Sequence, residues 1–228
     1  MIIFTINYMI MAKKTILSKQ KILTYYMDYV LEHNHNPKSV YAFSKSNNFE
    51  ESNFYNFFAS FEAIEQSIFL AFIENTIEAL NKSEDYTNFN SRNKLLSFYY
   101  TFFENLTANR SFILYTLKSD KNKLKNLKKL HLLKQAFYNY IHDLNIEVLN
   151  VKEARLEKIQ QKTLKESAWI QLLFTIKFWI DDTSPSFEKT DIFIEKSINT
   201  TFDVINVAPV KSVIDFGKFL FKEKFHMN

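Results

Sequence analysis

The chain has 228 residues, 46% of them hydrophobic and 17% aromatic, with a formal net charge of +4. That supplies apolar material for one large or two small buried cores and excludes an intrinsically disordered chain. One glycine and three prolines leave almost none of the punctuation that hairpins need, so an all-α fold is expected.

Met1 to Ile10 is apolar but too short to span a membrane, and it lacks the basic start and small-residue cleavage site of a signal peptide. Met11-Ala12-Lys13-Lys14 follows, so Met11 is expected to be the true start and residues 1–17 a disordered basic arm. The lysines between Lys13 and Lys21 read either as an arm that follows a phosphate backbone or minor groove, or as an ordinary solvated tail. Ser18 is placed to cap a helix whose apolar positions Ile22, Leu23, Tyr26, Tyr29 and Val30 recur at three and four residues, with a break from Asn34 to Pro37. Ser39 caps a second helix with Val40, Ala42 and Phe43, which stops at Asn47-Asn48, residues that tolerate a left-handed backbone. A third helix carries Phe54, Tyr55, Phe57 and Phe58, and Ser60 caps a long fourth one through Ile64, Ile68, Phe72 and Ile77. Two helices joined by a tight turn and backed by an earlier one form a helix-turn-helix, whose second member can enter a major groove.

These residues resemble the N-terminal domain of TetR-type transcriptional regulators. Laid on it without a gap, Ile22-Leu23 falls on the family's Ile-Leu, Ser39-Val40 on its Thr/Ser-Val, Phe54-Tyr55 on its Leu-Tyr and Phe58 on its Phe. Ser60 and Glu62-Ala63-Ile64 fall on its Ser-Lys-Glu-Ala-Leu. Asn34 and Asn48 stand where the family has glycines, Tyr25 and Tyr26 where it has small alanines, and Phe61 where it has lysine. Glu50-Glu51 replaces the small basic residue that opens the recognition helix. From Ser39 to Glu65, Lys45 is the only basic residue against Glu50, Glu51, Glu62 and Glu65. Two carboxylates suit the positive end of a helix dipole, yet they repel phosphate, which supplies much of the affinity for duplex. Lys45 and the uncharged Ser39, Ser52, Asn53, Tyr55, Asn56 and Ser60 are therefore the DNA-contact candidates.

Beyond the helix-turn-helix domain, set at residues 18–65, a helical bundle is expected over 66–208. Asn81 to Asn90 is a joint, and helices follow from about Ser91 to Asn109 and through Phe112 to Leu117. The lysine-rich segment Lys118 to Lys129 leads into one long helix through Leu127, Leu130, Leu133, Phe137, Ile141 and Leu144. It reads as a solvated face, or as a contact for phosphate or anionic lipid. The helix from about Leu156 to Asp181 contains Trp169 to Ile180, apolar all round but for Lys177, and such a helix needs cover from two sides. Charging Leu173 or Ile176 within that run is expected to cost solubility or stability, through an exposed patch or a buried unpaired charge. After Asp181 to Pro185 a second amphipathic helix runs through Phe187, Ile192, Phe193, Ile198, Phe202 and Ile205. The family resemblance implies that this pair forms a four-helix homodimer interface, through residues 156–181 and 185–205. A C-terminal amphipathic helix over 209–228, basic and aromatic from Val210 to Phe225, either packs on its own bundle or touches a membrane surface.

The five histidines show no metal-ligand spacing, a lone Gly217 permits no phosphate-cradling loop, and no nucleophile-and-base pair stands out. Neither enzyme activity nor a cofactor is expected. The absence of cysteine fits a reducing, cytoplasmic setting. The resemblance implies an apolar effector pocket among Phe98, Tyr99, Phe102, Tyr115, Phe137, Tyr138, Trp169 and Phe174; an aromatic stripe at helical spacing also reads as plain core. Two functions stay open: a homodimeric repressor that binds operator DNA and is released by a small apolar ligand, and a TetR-fold lipid- or hydrophobic-ligand-binding accessory protein without DNA binding.

Overall fold

The computed structural model describes residues 17–118, 123–146 and 154–206. The expectations for the N-terminal arm, the start at Met11 and the tail over 209–228 lie outside these residues, as does part of the lysine-rich segment. Every element among the described residues is a helix. The chain divides into two compact units, residues 1–64 and 65–228.

The first unit holds α1 (Lys19–His33), α2 (Val40–Ser46), α3 (Glu51–Tyr55) and the first turn of α4 (Phe61–Asn81). Serine caps set three of the starts. The hydroxyl oxygens of Ser18, Ser39 and Ser60 accept from the backbone N–H of Lys21, Ala42 and Ala63 at 3.2, 3.1 and 3.2 Å, each meeting one of the orphan donors of a helix N-terminus. Asn34 after α1 and Asn48 in the turn after α2 both take φ 56°, the left-handed conformation that lets a chain almost without glycine turn sharply. Helix α3 is shorter than its sequence implies. It ends at Tyr55, because Phe57 and Phe58 both turn their N–H groups back to the Phe54 carbonyl, at 3.0 Å each.

Aromatic rings make the core of this unit. Phe43 is fully buried and meets Tyr26, Tyr29, Phe49, Phe54 and Phe61 edge-on, with centroids 5.5 to 6.4 Å away. Tyr26 lies flat on Phe61 at 5.6 Å and Tyr25 flat on Phe49 at 6.4 Å. The bulky residues that replace small ones in α1 thus find ring partners, and such pairs contribute about 0.5–1.5 kcal/mol each beyond area burial.

The second unit takes the rest of α4, then α5 (Glu84–Asn88), α6 (Ser91–Ala108), α7 (Arg110–Lys118), α8 (Lys123–Lys129), α9 (His131–Asp143), α10 (Ala154–Asp181) and α11 (Glu188–Asn206). Two elements differ from the sequence reading. The joint after α4 contains the short α5, and the long helix through Leu127 to Leu144 is broken at Leu130, whose backbone leaves helical angles at φ −90°, ψ 7°. The break buries Leu130 while Lys129, one residue before, bridges Glu65 of α4 at 3.1 Å and donates to the Thr116 carbonyl of α7 at 3.2 Å. This ion pair lies out of water, with 14% of the Lys129 side chain and 5% of the Glu65 side chain exposed.

The corner between α10 and α11 is the most elaborate local structure. The Arg110 guanidinium lies between the rings of Trp179 and Phe187, at 4.4 and 4.5 Å, and donates to the Trp179 and Ile180 carbonyls at 3.0 and 3.1 Å. It therefore closes the C-terminal end of α10, where carbonyls lack helical partners. A 3-10 turn, Pro185–Phe187, follows, and both Ser186 and Phe187 take positive φ (52° and 60°). For Phe187 that conformation is costly and persists only where the surroundings hold it. Asp182 does part of the holding, its carboxylate accepting from the backbone N–H and hydroxyl of Ser184 and of Thr190, at 2.7 to 2.9 Å.

Burial alone would push the Asp182 pKa up, but these four hydrogen bonds outweigh it and hold the group down at about 2. A pKa below the unfolded value of about 3.9 means stability that is fully present above that value and lost as pH falls toward the folded one. Asp182→Asn should therefore remove on the order of 2 kcal/mol at neutral pH. In denaturant titrations its deficit relative to wild type should shrink as the pH is lowered from about 4 to about 2. At Asn48, replacement by glycine should leave thermal unfolding unchanged or slightly raised, whereas Asn48→Val should cost about 1–2 kcal/mol because a β-branched residue resists the left-handed region; circular-dichroism melts measure both.

Candidate functional site

In the first unit, the short helices α2 and α3 are joined by a tight turn through the left-handed Asn48. Ser52 is exposed on α3, and Tyr55 and Asn56, three and four residues on, share its face. Tyr55 stands out most, with 53% of its surface exposed. Asn53 is half-buried on the flank. Ser39 and Ser60 are exposed but already accept cap hydrogen bonds, so each has a hydroxyl proton to give. Lys45 is exposed at the end of α2, its ammonium 5.9 Å over the Tyr41 ring. The carboxylates act on this face directly. Glu51 accepts the Tyr55 hydroxyl at 3.4 Å, four residues back on the same helix, and so competes for the proton that would reach a phosphate.

The second unit treats the eight aromatic candidates unequally. Phe98, Phe102, Phe137 and Trp169 come together: Phe98 stacks on Phe102 at 5.5 Å and meets Phe137 at 5.5 Å, and Phe137 meets Trp169 at 6.3 Å. Tyr99 borders them, 6.0 Å from Phe98. Phe98, Tyr99, Phe102 and Phe137 have no accessible surface, so no water-sized void borders them and they are packed core rather than the walls of an open pocket. Tyr138 lies aside, its ring 5.0 Å beneath the Lys134 ammonium, and Tyr115 is half-buried on α7. Phe174 does not face the interior. It is 65% exposed.

The helix α10 is sorted by period. Trp169, Leu172, Thr175, Ile176 and Trp179 are buried, while Ile170, Phe174 and Phe178 are exposed at intervals of four. Ile176 is thus core, and Leu173 is half-buried. On α11, Ile192 is also exposed and Phe193 stacks on Phe178 at 4.7 Å, walling an apolar groove of about 610 Å³.

A second concavity, of about 420 Å³, opens where α4, α5, α6 and α9 meet. Its floor is a hydroxyl pair that the sequence reading missed, Tyr86 and Tyr140, 2.9 Å apart and both buried. Tyr140 donates to the Lys94 carbonyl at 2.9 Å. A phenol has one proton, so Tyr86 donates to Tyr140 and keeps its own oxygen free to accept. Burial pushes the pKa of both phenols up, Tyr140 far more than Tyr86, so both stay neutral. The Lys94 ammonium stands 5.8 Å over the Tyr86 ring, and the Tyr140 ring stacks on Phe98 at 4.4 Å, tying the floor to the aromatic core. Tyr99, buried beside them, has a hydroxyl that finds no hydrogen-bond partner. Tyr140 is readable in hindsight as the residue three after Phe137, on the same helix face; Tyr86 sits in the segment read as a joint, with no periodic signal.

Among the described residues no three His, Asp or Glu side chains are grouped to hold a metal ion, and no helix is long and apolar enough to cross a membrane. Comparison with curated proteins finds no match. The sequence model of one family, described as tetracyclin repressor-like, C-terminal domain, matches residues 94–220, more than half of the chain. The match covers α7 to α11 and nearly all of α6. The chain belongs to the tetracyclin repressor-like, or TetR, family.

Proposed function

We propose that this protein is a homodimeric, DNA-binding transcriptional regulator, a repressor controlled by a small apolar effector. The observation that carries the reading is α3. Within a helix-turn-helix of a TetR-family chain it leaves Ser52, Tyr55 and Asn56 exposed on one face, side chains that hydrogen-bond phosphates and base edges. The dimer is supported by the outward Ile170, Phe174 and Phe178 of α10 beside Ile192 of α11, an apolar surface that a second copy would cover isologously. An effector would act by parting the packed rings of Phe98, Phe102, Phe137 and Trp169, favouring one arrangement of the second unit over another.

One observation favours the alternative, a TetR-fold protein that carries lipid or another hydrophobic ligand and no longer binds DNA. Glu50 and Glu51 open α3, and Glu51 already holds the Tyr55 hydroxyl. Duplex from the region upstream of the chain's own gene, titrated by fluorescence anisotropy at several salt concentrations, separates the two. The regulator should bind with a shallow salt slope, of magnitude below about 3, because few phosphates are neutralised. Asn56→Ala should lower specific binding by about 1–3 kcal/mol, and Glu50→Lys with Glu51→Lys should raise affinity for any duplex. No binding by the wild type at low salt would overturn the regulator and leave the accessory protein.

The dimer has its own measurement. Phe174→Glu places a charge on the outer face without touching the core, so it should yield a folded monomer by sedimentation velocity, where the wild type should sediment as a dimer. A monomeric wild type at micromolar concentration would remove the interface.

A further inference from the structure

The cleft over Tyr86 and Tyr140 is separate from the packed aromatic interior, and its lining is mixed in a specific way. One cation, Lys94, and one anion, Asp143, line it together with two carboxamides, Asn81 and Asn139. Ile77, Ala136 and Leu144 supply its apolar surface. The charges balance, so a ligand of either single sign would bring one like charge against the wall. Tyr86 adds a fixed acceptor, since its proton is committed to Tyr140 and that of Tyr140 to the Lys94 carbonyl. At about 420 Å³ the space lies near the lower end of small-molecule sites.

We infer that this cleft binds a short apolar peptide with free ends, of dipeptide size. Its carboxylate meets the Lys94 ammonium, and its ammonium meets the Asp143 carboxylate and the Tyr86 oxygen. The carboxamides of Asn81 and Asn139 match the donor and acceptor of a peptide bond, and the apolar side chains lie on Ile77, Ala136 and Leu144. Asp143 is the exposed partner, its carboxylate 3.4 Å from His142 Nδ1 at the rim, so it can turn to a ligand without leaving a buried charge unpaired. The binding requires no DNA and is independent of whether the helix-turn-helix reads an operator.

The test is isothermal calorimetry on the full chain with leucyl-leucine, N-acetyl-leucyl-leucine and leucyl-leucinamide. Leucyl-leucine should bind, and capping either end should weaken it at least tenfold. Lys94→Met should abolish the preference for a free carboxylate while keeping that for a free amine, and Asp143→Asn should do the reverse. Both side chains are at the surface of the cleft, and melts by circular dichroism will show that the variants fold. Tyr86→Phe should weaken leucyl-leucine several-fold and leave its end preferences intact. No binding of leucyl-leucine up to millimolar concentration overturns the inference, and so does binding that neither capping nor the Lys94 and Asp143 changes affect. Because the readout contains no DNA, either result leaves the regulator reading to be judged on its own titration.

Discussion

The second unit depends on how one guanidinium is held. Arg110 sits between Trp179 and Phe187 and gives two hydrogen bonds to the last carbonyls of α10, so a residue at the start of α7 fixes where α10 ends and how the chain leaves it. Only a planar cation with forked donors can lie flat between two rings and still reach two carbonyls. Asp182 secures the other side of the corner by capping the start of α11 through Thr190. Together they offset the unfavourable backbone of Ser186 and Phe187. The angle between α10 and α11 follows, and with it the groove in which Phe178 stacks on Phe193.

In the first unit scaffold and surface pull apart. Phe43 and the five rings around it give the unit a core denser in aromatics than its length requires, while the outside of α3 begins with two carboxylates. Core packing tolerates such exchange of small for large when ring partners grow with it. Phosphate recognition would have no such tolerance, because a carboxylate beside the exposed Tyr55 hydroxyl changes the sign of the local field. The same unit can therefore keep its fold under substitutions that alter its surface charge.

Much of this was legible in the sequence, for reasons that are local. Ser18, Ser39 and Ser60 each precede a periodic run, and a cap hydrogen bond spans three residues, so its geometry can be read from spacing. Asn34 and Asn48 were readable as left-handed turns because asparagine, after glycine, accepts that backbone most readily. Tertiary facts were not. The run from Trp169 to Ile180 is apolar all round, so no pattern told Ile176, which is buried, from Phe174, which is exposed. The Tyr86–Tyr140 pair joins residues 54 apart, and hydroxyls carry no periodicity. The break at Leu130 needed knowledge that Lys129 would meet Glu65.

That last contact constrains motion. Glu65 stands at the beginning of the second unit's share of α4, and its partner Lys129 is also bonded to the Thr116 carbonyl of α7. Stretching an ion pair that is largely shielded from water weakens its attraction before water can replace it. Helices α4, α7 and α8 are thus tied together at one point, and a rearrangement that separates the pair gains most when it goes far enough to hydrate both charges. Such a contact disfavours the positions intermediate between engaged and fully parted.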